Sequence, residues 1–317
     1  MRKYFPFFLL LYFSLEAVST NQPKVSHHQK VVPNYTGSLF SSDFSNTAPG
    51  VWITQGYFLY SYDYGNYTSK FKISKSKEGT HVINPQFLVE TGITSFLDIE
   101  VIGQGFYREK NDKNSLQWGD TTLILGTPLY VNHHKPFYVR LTLNEIFPTG
   151  KVDQLDPTVD GIDQTSAGSF QTQVFLNFGS VINYFSYHPI RWRMNLAYGY
   201  AAPVKIKGTS AYGGGPNTRA KVYPGSTLLG LFSPEIVFTK NWIFTFDLSY
   251  QHTFQGSYKS STNSNLNVKA TDLVTFSPAI EYGISPKGGI ILGGWFSLLG
   301  KRTTAFTSVV LSGYYAF

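Results

Sequence analysis

The stretch of residues 242–254 reads Trp-Ile-Phe-Thr-Phe-Asp-Leu-Ser-Tyr-Gln-His-Thr-Phe, and it carries the clearest sign of the fold. Its even-numbered residues up to Tyr250 are apolar or aromatic, whereas most of its odd-numbered residues are polar. Alternation with a period of two is typical of a β-strand with one apolar and one polar face. The stretch is about twice as long as a usual strand of a soluble sheet. Its length instead matches a tilted strand that crosses a membrane.

The same alternation recurs along the chain, for example in residues 137–144, 169–179 and 192–200. The candidate strands are residues 51–64, 81–91, 96–108, 118–130, 137–147, 169–182, 192–204, 227–238, 242–254, 272–282, 289–299 and 306–317. Strands in lipid must pair all their backbone groups, so they have to close into a barrel. The sequence therefore predicts an all-β protein, an antiparallel transmembrane β-barrel of about 12 strands within a range of about 10 to 14.

The connections between these strands alternate between long polar segments and short ones. Such alternation is expected when short turns face the periplasm and longer loops lie outside the cell. Lys70, Lys72, Lys75 and Lys77 fall in the first long connection, so we expect them in a solvated extracellular loop. The long connections are residues 65–80, 109–117, 148–168, 205–226, 255–271 and 300–305, and the short ones are 92–95, 131–136, 183–191, 239–241 and 283–288.

Composition supports a lipid-facing barrel and excludes several other classes. Charged residues make up 14% of the chain and aromatic residues 17%, whereas an average soluble domain is about 25% charged. No run of 18 apolar residues is present, which excludes a helical membrane protein. The absence of cysteine excludes a disulfide scaffold, a thiolate zinc site and a cysteine nucleophile.

The N-terminal residues read as a targeting segment. A basic start is followed by an apolar run over residues 5–15 and by small residues before Thr20. This arrangement is typical of a secretory signal peptide over residues 1–19. Residues 20–50 are then a periplasmic N-terminal segment or a plug that enters the lumen, and residues 51–317 form the barrel.

The C-terminal strand ends on Phe317, with Tyr315, Gly313, Leu311 and Val309 alternating before it. A terminal aromatic residue on an alternating strand resembles the signature by which the outer-membrane assembly machinery recognises barrels. We therefore expect this machinery, membrane lipids and lipopolysaccharide as partners, and the outer membrane of a Gram-negative bacterium as the location. The basic residues do not combine with stacking aromatics on one folded face, so no nucleic-acid partner is expected.

Two motifs resemble a known family. The first is Phe-Pro-Thr-Gly-Lys at 147–151, followed by Leu155, Pro157, Gly161, Asp163, Gly168 and Ser169; the second is Ser-Pro-Ala-Ile-Glu-Tyr-Gly at 277–283, followed by Gly289, Gly293 and Gly294. With the aromatic last strand, both are similar to the bacterial outer-membrane family that bears the name MetA-pathway of phenol degradation, a name that reflects gene neighbourhood in some members. The resemblance spans roughly residues 50–317. It implies a barrel that acts as a transporter, and it does not identify the solute.

The lumen is the candidate site. About twelve strands that lie about 4.8 Å apart and tilt by about 40° give a backbone radius near 12 Å, which is too narrow for a general diffusion pore once side chains fill it. The charged residues expected on inward faces are Glu90, Asp98, Glu100, Arg140, Arg193, Glu235, Asp247 and Glu281. They are candidates for lumen lining and solute binding, although each can also serve only in ion pairs that stabilise the barrel.

Three functions fit these patterns. The first is passive passage of small solutes, with hydrophobic or aromatic ones among them, and it involves no enzymatic step. The second is an outer-membrane lipid hydrolase, for which His252 is the candidate base and for which no serine stands at a suitable position on the same strand. The third is a surface binding or adhesion protein built on the loops 148–168 and 205–226. No catalytic residue, cofactor or metal ligand is assigned, because no phosphate-binding or metal-ligand motif occurs.

Prolines fall inside three of the candidate strands, at Pro85, Pro234 and Pro278. A proline has no backbone N–H to donate to a neighbouring strand, so it is expected to mark a bulge or a bend.

Overall fold

The structure is a computed structural model, and it describes residues 37–132, 134, 136–185, 188–261 and 266–317. The predicted signal peptide and residues 20–36 of the predicted N-terminal segment lie outside the described residues. Within the described residues, no helix is long and apolar enough to cross a membrane.

Sixteen strands and one short 3-10 helix, Pro157–Val159, make up the regular structure of the described part of the chain. The strands are β1 (Trp52–Tyr67), β2 (Ile73–Thr94), β3 (Leu97–Lys110), β4 (Lys113–Trp118), β5 (Thr121–Asn132), β6 (Phe137–Phe147), β7 (Gln171–Phe185), β8 (His188–Ala201), β9 (Val204–Lys207), β10 (Arg219–Tyr223), β11 (Thr227–Val237), β12 (Trp242–Thr253), β13 (Ser257–Ser260), β14 (Thr271–Ser285), β15 (Gly288–Lys301) and β16 (Thr304–Ala316).

Twelve of these strands close into a barrel. Around the wall the order is β1, β2, β3, β5, β6, β7, β8, β11, β12, β14, β15 and β16, and every described neighbour pair is antiparallel. The first and last strands complete the ring, where the amide of Trp52 donates to the carbonyl of Phe317 over 3.1 Å. The predicted fold, an antiparallel barrel of about 12 strands, is confirmed.

The two ends of the barrel differ as expected. The connections at residues 95–96, 238–241 and 286–287 are short and lie at the end where the barrel begins and finishes. The opposite, extracellular end carries the longer connections, and several of these connections contain β-strands. The prediction of a loop around the four lysines was wrong in part. Lys75 and Lys77 belong to β2, because β1 and β2 keep pairing beyond the point where Asp63 faces Thr80.

The outer face of the wall is apolar. Large hydrophobic side chains that alternate with lumen residues are exposed there, such as Phe58 on β1, Leu196 on β8 and Leu292 on β15. A soluble protein rarely exposes a continuous apolar surface of this extent. Such a surface is stable when lipid covers it. Aromatic residues are common at the borders of a lipid-facing surface, and here the ring centroids of Trp242 and Tyr282 are 4.6 Å apart.

The three strand prolines open the backbone ladder without changing its register. Pairing of β2 with β3 stops after Ile83 and resumes at Gln86, and the same two-residue gap occurs around Pro234 and Pro278. The loss of pairing follows from the missing N–H. The expected bulge is not formed, because equal numbers of residues are skipped on both strands.

The loop over residues 148–170 is held by an ion pair whose carboxylate is buried. Lys151 Nζ lies 2.6 Å from Asp163 Oδ2, and the amide of Asp156 donates to the same oxygen over 2.9 Å. Asp163 is only 3% exposed. A second ion pair, between Lys113 and Asp160, is 3.3 Å long and has both side chains about two-fifths exposed.

This contrast predicts different effects for two similar substitutions. We expect Asp163→Ala to speed trypsin cleavage after Lys151 by about ten-fold, because it removes a charge-assisted contact and the acceptor of a buried amide. Asp160→Ala is the control and is expected to change the rate by less than about two-fold, since exposed ion pairs contribute little. Equal rates for both variants in proteoliposomes would contradict this account of the loop.

Two ionisable groups at this extracellular end have shifted pKa values. Hydrogen bonds from the hydroxyl and the amide of Thr158 hold the pKa of Asp156 below its usual value. Burial raises the pKa of Tyr212 to about 12, and the charge of Asp120 adds to this rise. Tyr212 therefore stays a neutral donor at neutral pH, and its hydroxyl donates to the carbonyl of Ala167 over 2.8 Å.

Candidate functional site: the barrel lumen

The structure places all eight charged residues that the sequence predicted for the lumen on inward faces of the wall. Six of them are buried, and Glu90 and Glu100 are half-buried beside the central cavity. They form two groups on opposite parts of the wall. The Arg140 cluster is Glu90, Asp98, Glu100 and Arg140, and the Arg193 cluster is Arg193, Glu235, Asp247 and Glu281 together with Arg191, which was not among the eight.

The Arg140 cluster combines one guanidinium with three carboxylates. Arg140 on β6 donates from its NH2 to Asp98 Oδ1 on β3 over 2.6 Å, and both side chains are almost fully buried. Glu90 and Glu100 are directly opposite each other on β2 and β3. Gly126 on β5 makes room for this ion pair, because a Cβ there would collide with both partners.

The Arg193 cluster has two guanidiniums that converge on one carboxylate. Arg193 Nε lies 3.1 Å from Glu235 Oε1, and Arg191 bonds the other oxygen of this fully buried carboxylate. Asp247 and Glu281 lie on the following two wall strands and are equally buried. An uncompensated buried charge is costly, so these positions depend on one another.

A chain of amides links the two clusters across the wall. The Asn195 side-chain amide donates to Asn177 Oδ1 over 2.8 Å, and Asn177 donates to the hydroxyl of Thr142 over 3.3 Å. Thr142 lies two residues from Arg140 on the same face of β6, and Asn195 lies two residues from Arg193 on the same face of β8. The polar surface is therefore continuous from one cluster to the other.

Residues 37–48, called the lumen segment below, contact the Arg193 cluster directly. The amide of Phe40 donates to Asp247 Oδ2 over 3.1 Å, and Arg193 donates from NH1 to the carbonyl of Ser41 over 3.0 Å. The hydroxyl of Ser41 also donates to Asn195 Oδ1 over 2.7 Å. Three wall side chains thus bind two consecutive residues of this segment, Phe40 and Ser41.

The same segment reaches the Arg140 cluster on the other side. Arg140 Nε donates to Asn46 Oδ1 over 3.0 Å, and the amide of Thr47 donates to Asp98 Oδ2 over 3.0 Å. The hydroxyl of Thr47 bonds Glu90 as well. The lumen segment therefore spans the space between the two clusters.

Two apolar side chains fix the lumen segment between these polar contacts. Leu39 is 2% exposed and packs with Leu59, Ala279, Ile291 and Val310 of the wall. Phe44 stacks on Tyr138 with ring centroids 5.2 Å apart, over a wall position that holds Gly179. A Cβ at Gly179 would overlap the Phe44 ring, so the missing side chain forms a receptacle for it.

Filling this receptacle should displace the lumen segment. We expect Gly179→Val to raise single-channel conductance above that of the unchanged protein, because the valine occupies the place of the Phe44 ring. Gly56→Ala is the matched control, since nothing lies within 4 Å of a Cβ at that position. An unchanged conductance in a folded Gly179→Val barrel would show that Phe44 does not hold the segment.

The remaining lumen space is a cavity of about 500 Å³ with a mixed lining. From the two arginine clusters, Glu90, Glu100, Arg140, Arg191 and Arg193 line this cavity. Its other polar lining includes Gln55, Gln86, Thr122, Asn144 and Gln173, and its apolar lining includes Ile53, Leu88, Ile102, Ile124, Ile146, Phe175, Leu229 and Leu231. A solute with both an apolar and a polar part finds matching surface here.

Some lumen residues escaped the sequence prediction. Arg191 was counted in a turn, although its position two residues before Arg193 on the same alternating face was a usable signal. The contacts made by Phe40, Asn46 and Thr47 had no such signal, because the lumen segment does not alternate and its partners lie far away in sequence.

The hydrolase alternative centres on the outward-facing His252. Its Nδ1 lies 2.7 Å from Asp272 Oδ1, and the hydroxyl of Tyr250 donates to the same oxygen over 2.9 Å. A hydrolase also needs a nucleophile within hydrogen-bond reach of the histidine. Among the described residues no serine hydroxyl bonds His252, so the hydrolase stays a hypothesis without a nucleophile.

No family model matches the sequence, and no curated protein sequence matches it either. Among solved structures, the chain is similar to the COG4313 outer membrane channel from Pseudomonas putida F1, with a TM-score of 0.69 and 10% identity over 88% of this chain and 100% of that one. It is also similar to the transport unit of the autotransporter AIDA-I from Escherichia coli, with a TM-score of 0.46 and 10% identity over 88% of this chain and 94% of that one. For the CymD monoaromatic hydrocarbon channel the TM-score is 0.40, with 8% identity over 85% of this chain and 88% of that one. Of these three similarities, the first is high enough to support a conclusion. At 10% identity that conclusion concerns the fold, a closed barrel of the outer-membrane type.

Proposed function

We propose that this barrel is an outer-membrane channel of a Gram-negative bacterium through which small solutes, hydrophobic or aromatic ones among them, pass without energy coupling. The carrying observation is the cavity of about 500 Å³ inside a wall that is apolar on its outer face. A barrel whose lumen served only stability would be filled by side chains throughout. The resemblance of the sequence to the MetA-pathway of phenol degradation family supports the same proposal, and so does the fold shared with the Pseudomonas putida channel.

The lining suggests how a solute crosses. Aliphatic side chains such as Leu88, Leu229 and Phe175 give an apolar part of the solute a surface that excludes water. Charged and amide side chains offer hydrogen bonds that replace the hydration shell of its polar part. Solutes with both parts should therefore cross more readily than sugars of similar size.

We propose further that the lumen segment is a plug that narrows this path. Its support is the set of polar contacts to both arginine clusters and the two anchored side chains, Leu39 and Phe44. On this proposal residues 20–36 form the periplasmic N-terminal segment, and residues 1–19 are a signal peptide that directs export and is removed.

The partners follow from this placement. Membrane lipids cover the apolar outer face, and lipopolysaccharide surrounds its extracellular end. The assembly machinery binds the last strand through Phe317, whose side chain is 59% exposed on the outer face. An adhesive role of the outer loops stays a hypothesis.

Uptake into proteoliposomes tests the channel. The probes are a pentose, a small amino acid and arbutin, a neutral hydroxyphenyl glucoside, each measured by osmotic swelling. We expect arbutin to enter faster than its size predicts when the entry rate of the pentose is taken as the reference. Entry in strict order of size would contradict a lumen that favours amphipathic solutes, and no entry of any probe would contradict a channel.

A further inference from the structure

The extracellular end of β15 brings a lysine to the rim of the apolar outer face. Lys301 is the last residue of this strand and is paired with Asp272 on β14. The even-numbered residues of β14 point outward, because the odd-numbered ones are buried in the lumen and Ile280 is exposed. Residues paired directly across two strands lie on the same side of a sheet. Lys301 therefore lies on the lipid-facing side of the wall.

Apolar surface continues directly below Lys301. The next outward pair toward the membrane is Val274 with Leu299, and Leu299 is exposed. The register between β14 and β15 then shifts by one residue, so that Leu298 is extra on β15. Both leucines are exposed, whereas Ser297 is buried. This bulge gives the wall two adjacent exposed leucines at a place where regular alternation would show one.

The tip of the hairpin between β1 and β2 adds two more cations. Lys301 Nζ lies 5.8 Å from the centre of the Phe71 ring at this tip, a distance at which a cation and an aromatic ring attract each other. Lys70 and Lys72 flank Phe71 in sequence, and both are exposed. The two turns therefore present their lysines at one place on the rim.

Arg302 follows Lys301 and ties the two turns together. Its amide donates to the carbonyl of Thr68 in the hairpin tip over 3.4 Å, and its NH1 donates to the carbonyl of Ala270 over 3.2 Å. Arg302 and Phe71 have φ values of 54° and 58°, a left-handed conformation that glycine adopts most easily. Residues with side chains are strained there, and such strain is common where the side chains have a function.

Lys70, Lys72, Lys301 and Arg302, called the rim cluster below, have little counter-charge on the protein. None of the four forms an ion pair with a described residue. Asp272 faces Lys301 across the strands, but its Oδ1 already accepts from the hydroxyl of Tyr250 and bonds Nδ1 of His252. The rim cluster can therefore bind an external anion.

We propose that the rim cluster binds the lipid A phosphates of one lipopolysaccharide molecule, whose acyl chains lie on Leu298 and Leu299 below it. The inference rests on the proposed contact with lipopolysaccharide and names the site of that contact. Charge complementarity favours this lipid, because its phosphates lie just above its acyl chains, as the cations lie just above the leucines. Basic residues at the level of the headgroups attract anionic lipids.

Native mass spectrometry of the mature chain in detergent tests this site. The proteins are the unchanged chain, the triple variant Lys70→Gln/Lys72→Gln/Lys301→Gln, and the control Lys205→Gln/Lys221→Gln/Lys259→Gln, which removes the same charge from β9, β10 and β13. The lipids are diphosphoryl lipid A, lipid A with both phosphates removed, and phosphatidylglycerol. Entry of arbutin into proteoliposomes reports separately whether each protein forms a channel.

We expect the unchanged chain to bind one diphosphoryl lipid A about ten-fold more tightly than the dephosphorylated form. The triple variant should lose about five-fold or more of this affinity, and the control should stay within about two-fold of the unchanged chain. Equal binding of both lipid A forms by the unchanged chain would overturn the proposal without any variant, and so would an equal loss in both variants.

Two further outcomes separate this proposal from its neighbours. Phosphatidylglycerol bound as tightly as diphosphoryl lipid A would show a general site for anionic lipids and would overturn the assignment to lipopolysaccharide. Arbutin entry without selective lipid binding would overturn the lipid site and leave the channel supported. Selective binding without arbutin entry would overturn the channel and leave the lipid site supported.

Discussion

Deleting residues 21–48 is expected to raise the single-channel conductance of the barrel by about three-fold. A strand-like segment with its side chains is about 10 Å across, and the backbone radius of the barrel is about 12 Å, so the deletion frees a large part of the cross-section of the lumen. The deletion removes the polar bridge between the two arginine clusters and both apolar anchors, Leu39 and Phe44. The measurement is the step size in planar bilayers, together with swelling rates for a pentose.

A shorter deletion separates the effect of the lumen segment from that of the residues before it. Removing residues 21–36 keeps every described contact of the lumen segment, so it should leave the conductance unchanged. If both deletions conduct like the full mature chain, residues 37–48 do not limit the path. If both raise the conductance equally, the limiting element lies before residue 37.

Substituting Arg140 by methionine is expected to lower the free energy of unfolding by about 3–5 kcal/mol, the range found when one partner of a buried ion pair is removed. Arg140 is 3% exposed and Asp98 is 1% exposed, so the carboxylate left behind has little access to water. Glu90 and Glu100 lie nearby and offer no cation that could replace the guanidinium. Urea unfolding of the barrel in lipid bilayers measures the loss.

The double variant Asp98→Asn/Arg140→Met is the control for this ion pair. It removes the isolated charge and keeps an acceptor for the amide of Thr47, so it should recover more than half of the loss. Equal instability of the single and double variants would mean that Arg140 acts by packing rather than by charge. Arg140→Met should also raise conductance, because Arg140 donates to the lumen segment.

A rule of alternation made the wall predictable from sequence. Each wall strand has one face in lipid and one in the lumen, so a period of two is written into every strand, as in residues 242–254. The same rule placed Arg140, Arg193, Glu235 and Asp247 on one side of the wall. It left open which side faced inward, because a shift by one residue inverts the assignment.

The tertiary structure alone decided what lies inside the wall. The lumen segment has no repeating pattern, and its contacts join residues that are far apart in sequence, such as Thr47 with Asp98 and Phe40 with Asp247. The pairing of Arg193 with Glu235 likewise depends on strand register. Sequence determined the wall because lipid imposes a local period, whereas the position of the lumen segment and the charged clusters arise from contacts that exist only once the ring has closed.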